Sequence, residues 1–138
     1  MMRTDNLDQK VRVFADREVE SLVNHADFHF GDLMRLPLET KDGLVLESTF
    51  CDGYHDLKYL LAMSVQAGCA SKCRFCELGD GGLERDLTTD EILDQLALLL
   101  KTAMKRGYHI FDRPLKASFV MGGEPLDNQQ FSGVLRKM

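Results

Sequence analysis

The stretch LTTDEILDQLALLLKTAMKRG, residues 87–107, constrains this chain more than any other feature. Ile92, Leu93, Leu96, Leu99, Leu100 and Ala103 recur at the helical period and make a wide apolar stripe. Thr88 and Glu91 fit a capping box, and Asp90 and Glu91 sit at the positive end of the helix dipole. Lys105 and Arg106 suit the negative end, and Gly107 is a natural stop. Apolar runs flank this helix: LKYLLAMSV at 57–65 and KASFVM at 116–121. Strand, helix, strand in that order predicts parallel strands joined by a right-handed crossover, hence an α/β fold. Loops at the carboxyl ends of such strands gather on one edge, where ligands bind.

The rest of the chain extends this unit at both ends. Val11, Phe14, Val19, Leu22 and Val23 stand at roughly helical spacing, so a short helix is expected within residues 1–24. LVLESTF at 44–50 alternates as a strand after the turn signal KDG and is expected to pair antiparallel with 57–65. KASFVM breaks at Gly122–Gly123, after which NQQFSGVLRKM starts another helix, with Asp127 and Asn128 as its caps. The chain divides into a helix and β extension, 1–43, and an α/β part, 44–138.

Length, charge and hydropathy narrow the classes of function. The 138 residues suit one modest domain with a real core. A formal net charge of −5 gives no positive support for binding nucleic acid or acidic membranes. The longest apolar candidate, LALLLKTAM, is too short for a membrane span and is interrupted by Lys101. The start, MMRTDNLDQK, lacks the apolar core of a secretion signal, so a cytoplasmic, reducing setting is expected.

In that setting three of the four cysteines crowd into CASKCRFC: Cys69, Cys73 and Cys76, as C-x3-C-x2-C. A disulfide would leave one thiol over. Zinc needs a fourth ligand, for which Cys51, His55 or His109 are candidates without a paired-finger spacing. An iron–sulfur cubane takes thiolates at its iron corners, and three of them leave one iron open for a substrate or cofactor. Ligand chemistry favours iron–sulfur over zinc. His25, His29, His55 and His109 show no ligand spacing among themselves, and Lys72 and Arg74 read as solvated loop charges. Met121, beside the glycine turn, could line a cofactor site.

C-x3-C followed by x-aromatic-C, here CASKCRFC, resembles the signature of the radical S-adenosylmethionine (SAM) enzymes, and GGEP at 122–125 resembles their second signature. The resemblance implies the N-terminal part of a partial (β/α) barrel, preceded by an antiparallel β extension. It implies a [4Fe–4S] cluster on Cys69, Cys73 and Cys76, with S-adenosylmethionine chelated at the open iron. Gly122 and Gly123 would let the backbone approach the methionine moiety, Glu124 would accept its ammonium, and Pro125 and Phe75 would complete the cofactor site, Phe75 near adenine. The chemistry implied is reductive cleavage to a 5′-deoxyadenosyl radical, fed by a donor such as flavodoxin or ferredoxin.

The wider run LVLESTF … AMSVQAGCASKCRFC … LTTDEIL … FVMGGEPLDN is similar to the adenine-C2 RNA methyltransferases, over roughly residues 43–128. That similarity implies rRNA or tRNA as substrate and places Glu47 where the family carries a proposed proton acceptor. Two departures stand out. Ala62 occupies the position of a resolving cysteine, and the family's methyl-carrying cysteine has no counterpart here. Cys51 lies in a different turn and is as much an incidental buried thiol as a replacement. About two of the repeating barrel units are present, so a fragment, a complementing chain or self-association is expected, with this chain alone inactive. The alternative is a non-catalytic iron–sulfur or zinc module acting through a partner.

Overall fold

The computed structural model describes residues 2–24, 26–53, 58–69 and 82–138. Helix α1 spans Met2–Ala15. Strands β1 (Leu22–Asn24), β2 (Phe28–Phe30), β3 (Leu33–Thr40), β4 (Val45–Gly53) and β5 (Lys58–Ala62) follow. Then come β6 (Gln66–Gly68), β7 (Leu83–Asp86), helix α2 (Thr89–Lys105), β8 (Leu115–Ser118), a 3-10 turn at Pro125–Asp127 and helix α3 (Phe131–Lys137).

The main sheet runs β1-β3-β4-β5-β8, with β2 also on β3, and β6 pairs β7 in a separate ribbon. β4 and β5 are antiparallel, with Phe50 opposite Leu61, whereas β5 and β8 are parallel, with Ala62 opposite Ser118. This is the expected α/β arrangement, an antiparallel extension leading into a parallel β5–α2–β8 crossover. The β3–β4 hairpin carries the sheet across residue 43 without a break in register.

Alternation sets which face each strand buries. Met34, Leu36 and Leu38 of β3 and Leu46, Ser48 and Phe50 of β4 are buried, and Ser48 bonds to α2, so these residues face the helix. Ile92, Leu93, Leu96, Leu99, Leu100 and Ala103 supply the other half of the core. Each large side chain buried there is worth about 1.5–3 kcal/mol relative to exposure. Pro37 lies inside β3, where a missing N–H would ordinarily break a ladder. β1 pairs residues 38–40 and β2 pairs residues 33–35, so among the described residues 36 and 37 have no strand partner on that side.

The ends of α2 follow the sequence, with one difference. Thr88 accepts the Glu91 N–H at 3.1 Å, and Gly107 takes φ +93° just beyond the helix. Glu91 does not complete the box, because its carboxylate is held by Arg85 at 3.1 Å. Two expected strands are shorter than their apolar runs: β5 stops at Ala62 and β8 at Ser118. Past those points side chains reach for backbone groups, and that is where the unusual loops begin.

Candidate functional site

Residues 63–68, 82–87 and 121–128 meet at the carboxyl ends of β5 and β8. Met63 N–H donates to Ser118 O at 2.8 Å, and Met121 N–H returns to Met63 O at 3.3 Å. The glycine turn then folds onto the next residues. Val65 N–H and Gln66 N–H both donate to Gly122 O, at 2.8 and 3.1 Å. Gln66 Oε1 accepts the Glu124 N–H at 3.0 Å, and its Nε2 donates to Asp86 Oδ1 at 2.7 Å.

Gly123 is required by this packing, and Gly122 is tight within it. A Cβ on Gly123 would stand 2.4 Å from Gln66 Cβ, and φ there is +85°. A Cβ on Gly122 would come within 3.0 Å of Ser64 Oγ. The side on which a Cβ would project is therefore filled by Ser64 and Gln66, so the first need for glycine is internal.

The cysteine loop leaves from the same three-residue strand. Gly68 pairs with Leu83, and Cys69 N–H donates to Gly82 O at 3.2 Å, which closes the neck of the segment between them. Gly68 has φ +80°, and a Cβ there would lie 2.1 Å from Gly82 O. Cys69 is half-buried and free of disulfide. It stands three positions beyond Gln66, at most about 11 Å of chain. Cys73, Cys76 and Phe75 lie outside the described residues, as do Lys72, Arg74, His25 and His55. Among the described residues no group of three or more His, Cys, Asp or Glu could hold a metal. By its chemistry the sequence pattern C-x3-C-x2-C, whose first cysteine is free of disulfide, is a donor set that fits an iron–sulfur cluster.

The other expected site residues fall around this rim. Glu124 Oε1 caps the 3-10 turn by accepting the Leu126 N–H at 3.2 Å, and Pro125 opens that turn. Glu47 lies on the face of β4 away from α2, where Arg35 grips its carboxylate at 2.6 and 2.7 Å. The backbone of Glu47 does reach the rim: its carbonyl accepts Ser64 Oγ–H at 2.8 Å. Met121 Sδ accepts from Thr49 Oγ1 at 3.7 Å. Cys51 stands level with Leu60, before the end of β5. Burial, then Asp32 and Asp52, push its thiol above the ordinary range, a setting unlike that of a reactive thiolate. Ala62, at the end of β5, is buried.

No family model matches the chain. It is 42% identical over 98 residues to a probable RNA methyltransferase of Sorangium cellulosum, covering 70% of this chain and 23% of that protein. It is also 42% identical over 97 residues to a probable dual-specificity RNA methyltransferase RlmN of Prochlorococcus marinus, covering 70% of this chain and 25% of the relative. A dual-specificity RNA methyltransferase RlmN 2 of Myxococcus xanthus is 35% identical over 124 residues, covering 88% of this chain and 32% of its own length. This chain resembles the RlmN-type RNA methyltransferases. It spans about a quarter to a third of the length of these curated relatives. In fold, the crystal structure of a radical SAM methyltransferase from Sphaerobacter thermophilus superposes with a TM-score of 0.75. That match covers 96% of this chain and 37% of the other, at 23% identity.

The rim roles of three residues of this RlmN-like arrangement escaped sequence reasoning. Gln95 sits within the apolar stripe of α2 yet is fully buried, accepting Ser48 Oγ–H and Ser64 N–H at 2.7 and 2.8 Å and donating to Ser64 O at 2.8 Å. Asn128 was expected as a helix cap. It does accept the Gln130 N–H, but its buried Nδ2 also donates to Val65 O and Leu87 O at 2.7 and 3.0 Å. Asn128 therefore brackets the rim as well as turning the chain. Gln66 is the third, and a glutamine two residues before a glycine–cysteine pair was the available signal.

Proposed function

We propose that this chain carries the cluster and cofactor end of a radical S-adenosylmethionine enzyme of the RNA-methyltransferase type. The observation that carries the proposal is the sharing of strand β6: the cysteine loop leaves from its end, and the glycine turn docks on Gln66 at its start. Cys69, Cys73 and Cys76 would hold a [4Fe–4S] cluster. Gly122, Gly123, Glu124 and Pro125, with Phe75, would hold S-adenosylmethionine. Bound together, the two groups supply one-electron cleavage of a sulfonium C–S bond and hence hydrogen-abstracting chemistry.

The residues of the chain orient and exclude. Gln66 and Ser64 fill the inner side of the turn, so its shape is set before any ligand arrives. The Glu124 carboxylate spends one oxygen on Leu126 N–H, and its other oxygen has no hydrogen-bond partner among the described residues. That oxygen suits a ligand ammonium. Glu47 would serve as a proton acceptor once Arg35 releases it. The relatives' names favour RNA as substrate, and a flavodoxin- or ferredoxin-class protein would supply the electron. Ala62 at the resolving position leaves methyl transfer without that cysteine in this chain.

Anaerobic reconstitution with iron and sulfide tests the reading. Broad visible absorption is expected, lost in each of Cys69→Ala, Cys73→Ala and Cys76→Ala and retained in Cys51→Ala. Release of 5′-deoxyadenosine under a strong reductant marks a catalyst. A retained cluster without that release supports the non-catalytic module instead. Absorption that survives Cys73→Ala overturns the ligand assignment.

A further inference from the structure

The carboxamide of Gln66 lies between the two signature loops and belongs to neither. Its Oε1 takes the Glu124 N–H at 3.0 Å, while its Nε2 is fixed by Asp86 Oδ1 at 2.7 Å. Gln66 is 2% exposed, and its stem fills the space that a side chain on Gly123 would need. A carboxylate can only accept hydrogen bonds, so Asp86 selects the orientation in which Nε2 faces β7 and Oε1 faces the turn. A flipped amide would set two donors, Nε2 and Glu124 N–H, against each other. Asp86 is itself Gln66's partner in the β6–β7 register, and the neighbouring Arg85 is occupied by Asp42 and Glu91.

We infer that Gln66, oriented by Asp86, is a positioning residue that sets the Glu124 backbone and so presents the Glu124 carboxylate to the ammonium end of S-adenosylmethionine. The inference rests on the proposed cofactor reading. It adds a polar relay, Asp86 to Gln66 to Glu124, that the cysteine and glycine motifs do not contain. A buried acceptor removed from a backbone N–H leaves that donor unsatisfied, and the turn then adjusts to find another partner.

The full chain, reconstituted with iron and sulfide, is compared with Gln66→Met, Gln66→Glu and the double variant Gln66→Glu/Asp86→Asn. Methionine keeps the length of the side chain and removes both polar atoms. Gln66→Met is expected to keep the visible absorption while S-adenosylmethionine affinity, read by calorimetry, falls about tenfold. Gln66→Glu is expected to fall further, because its carboxylate faces Asp86. The double variant restores one donor–acceptor pair with the polarity reversed and should return affinity to within about threefold of wild type.

A second readout needs no cofactor: amide hydrogen exchange at Glu124 in the unreconstituted chain. Exchange should quicken in Gln66→Met and slow again in the double variant, with the amides of α2 unchanged. Unaltered exchange at Glu124 overturns the positioning role. Wild-type affinity in Gln66→Met overturns the link to the cofactor. If the wild-type chain binds no S-adenosylmethionine while Glu124 exchange still depends on Gln66, the cofactor reading fails and the positioning role stands.

Discussion

The sheet face beneath α2 and the rim above β5 and β8 are held by opposite means. Under α2, Leu36, Leu38, Phe50, Leu61, Leu99 and Leu100 are fully buried and are held by the exclusion of water. At the rim the binding is directional: Gln66, Gln95 and Asn128 hold backbone groups of residues 64, 65, 87 and 124. The contrast teaches a division of tolerance. Non-directional packing accepts exchanges of similar volume, whereas each rim amide has specific donors and acceptors to satisfy and no equivalent substitute. A rim of fixed shape is better served by the second kind of bond.

Four variants test that division, from large effect to small. Leu99→Ala should lower unfolding free energy by about 2–5 kcal/mol in urea titration, through a cavity. Rim geometry, read by exchange at Glu124, should survive wherever the chain stays folded. Asn128→Ala strips a donor from two buried carbonyls and should cost about 1–3 kcal/mol. Its exchange changes should centre on residues 65 and 87, and uniform exchange across α2 would break the comparison.

The third variant concerns acid. Burial tends to raise the Asp94 carboxyl, but hydrogen bonds from Ser21 and Arg17 prevail and hold it below the ordinary range. Its stabilisation is full above an unfolded value of about 3.9 and is lost as pH falls through the lower folded value. Urea midpoints from pH 7 to pH 3 should therefore decline less steeply in Asp94→Asn, and an unchanged slope would remove Asp94 from the account. Arg35→Ala, at a half-exposed and solvent-screened pair with Glu47, should shift the urea midpoint least of the four. A loss as large as that of Leu99→Ala would make this surface pair a third structural centre.

Helix α2 was legible because period, cap and stop agreed along one contiguous run. The two signatures were legible as motifs, and the meeting of residues 63–68 with the glycine turn followed from strand–helix–strand order. Gln95 and the rim role of Asn128 were hidden for a common reason: apart from Ser48 Oγ on Gln95, the groups they hold at the rim are main-chain atoms of residues 64, 65 and 87, which leave no trace in side-chain chemistry. β3 was obscured by Pro37, which interrupts an otherwise regular alternation of Met34, Leu36, Leu38 and Thr40. The glycine pair was legible as a motif, and within the fold the neighbours that ask for small residues there are Ser64 and Gln66.

The closure of Cys69 on Gly82 makes the two ends of the cysteine segment neighbours through the main chain alone. Whatever sequence joins those ends inherits the same pair of moorings. A cysteine segment of another length, transplanted between them, should leave the glycine bend where it is.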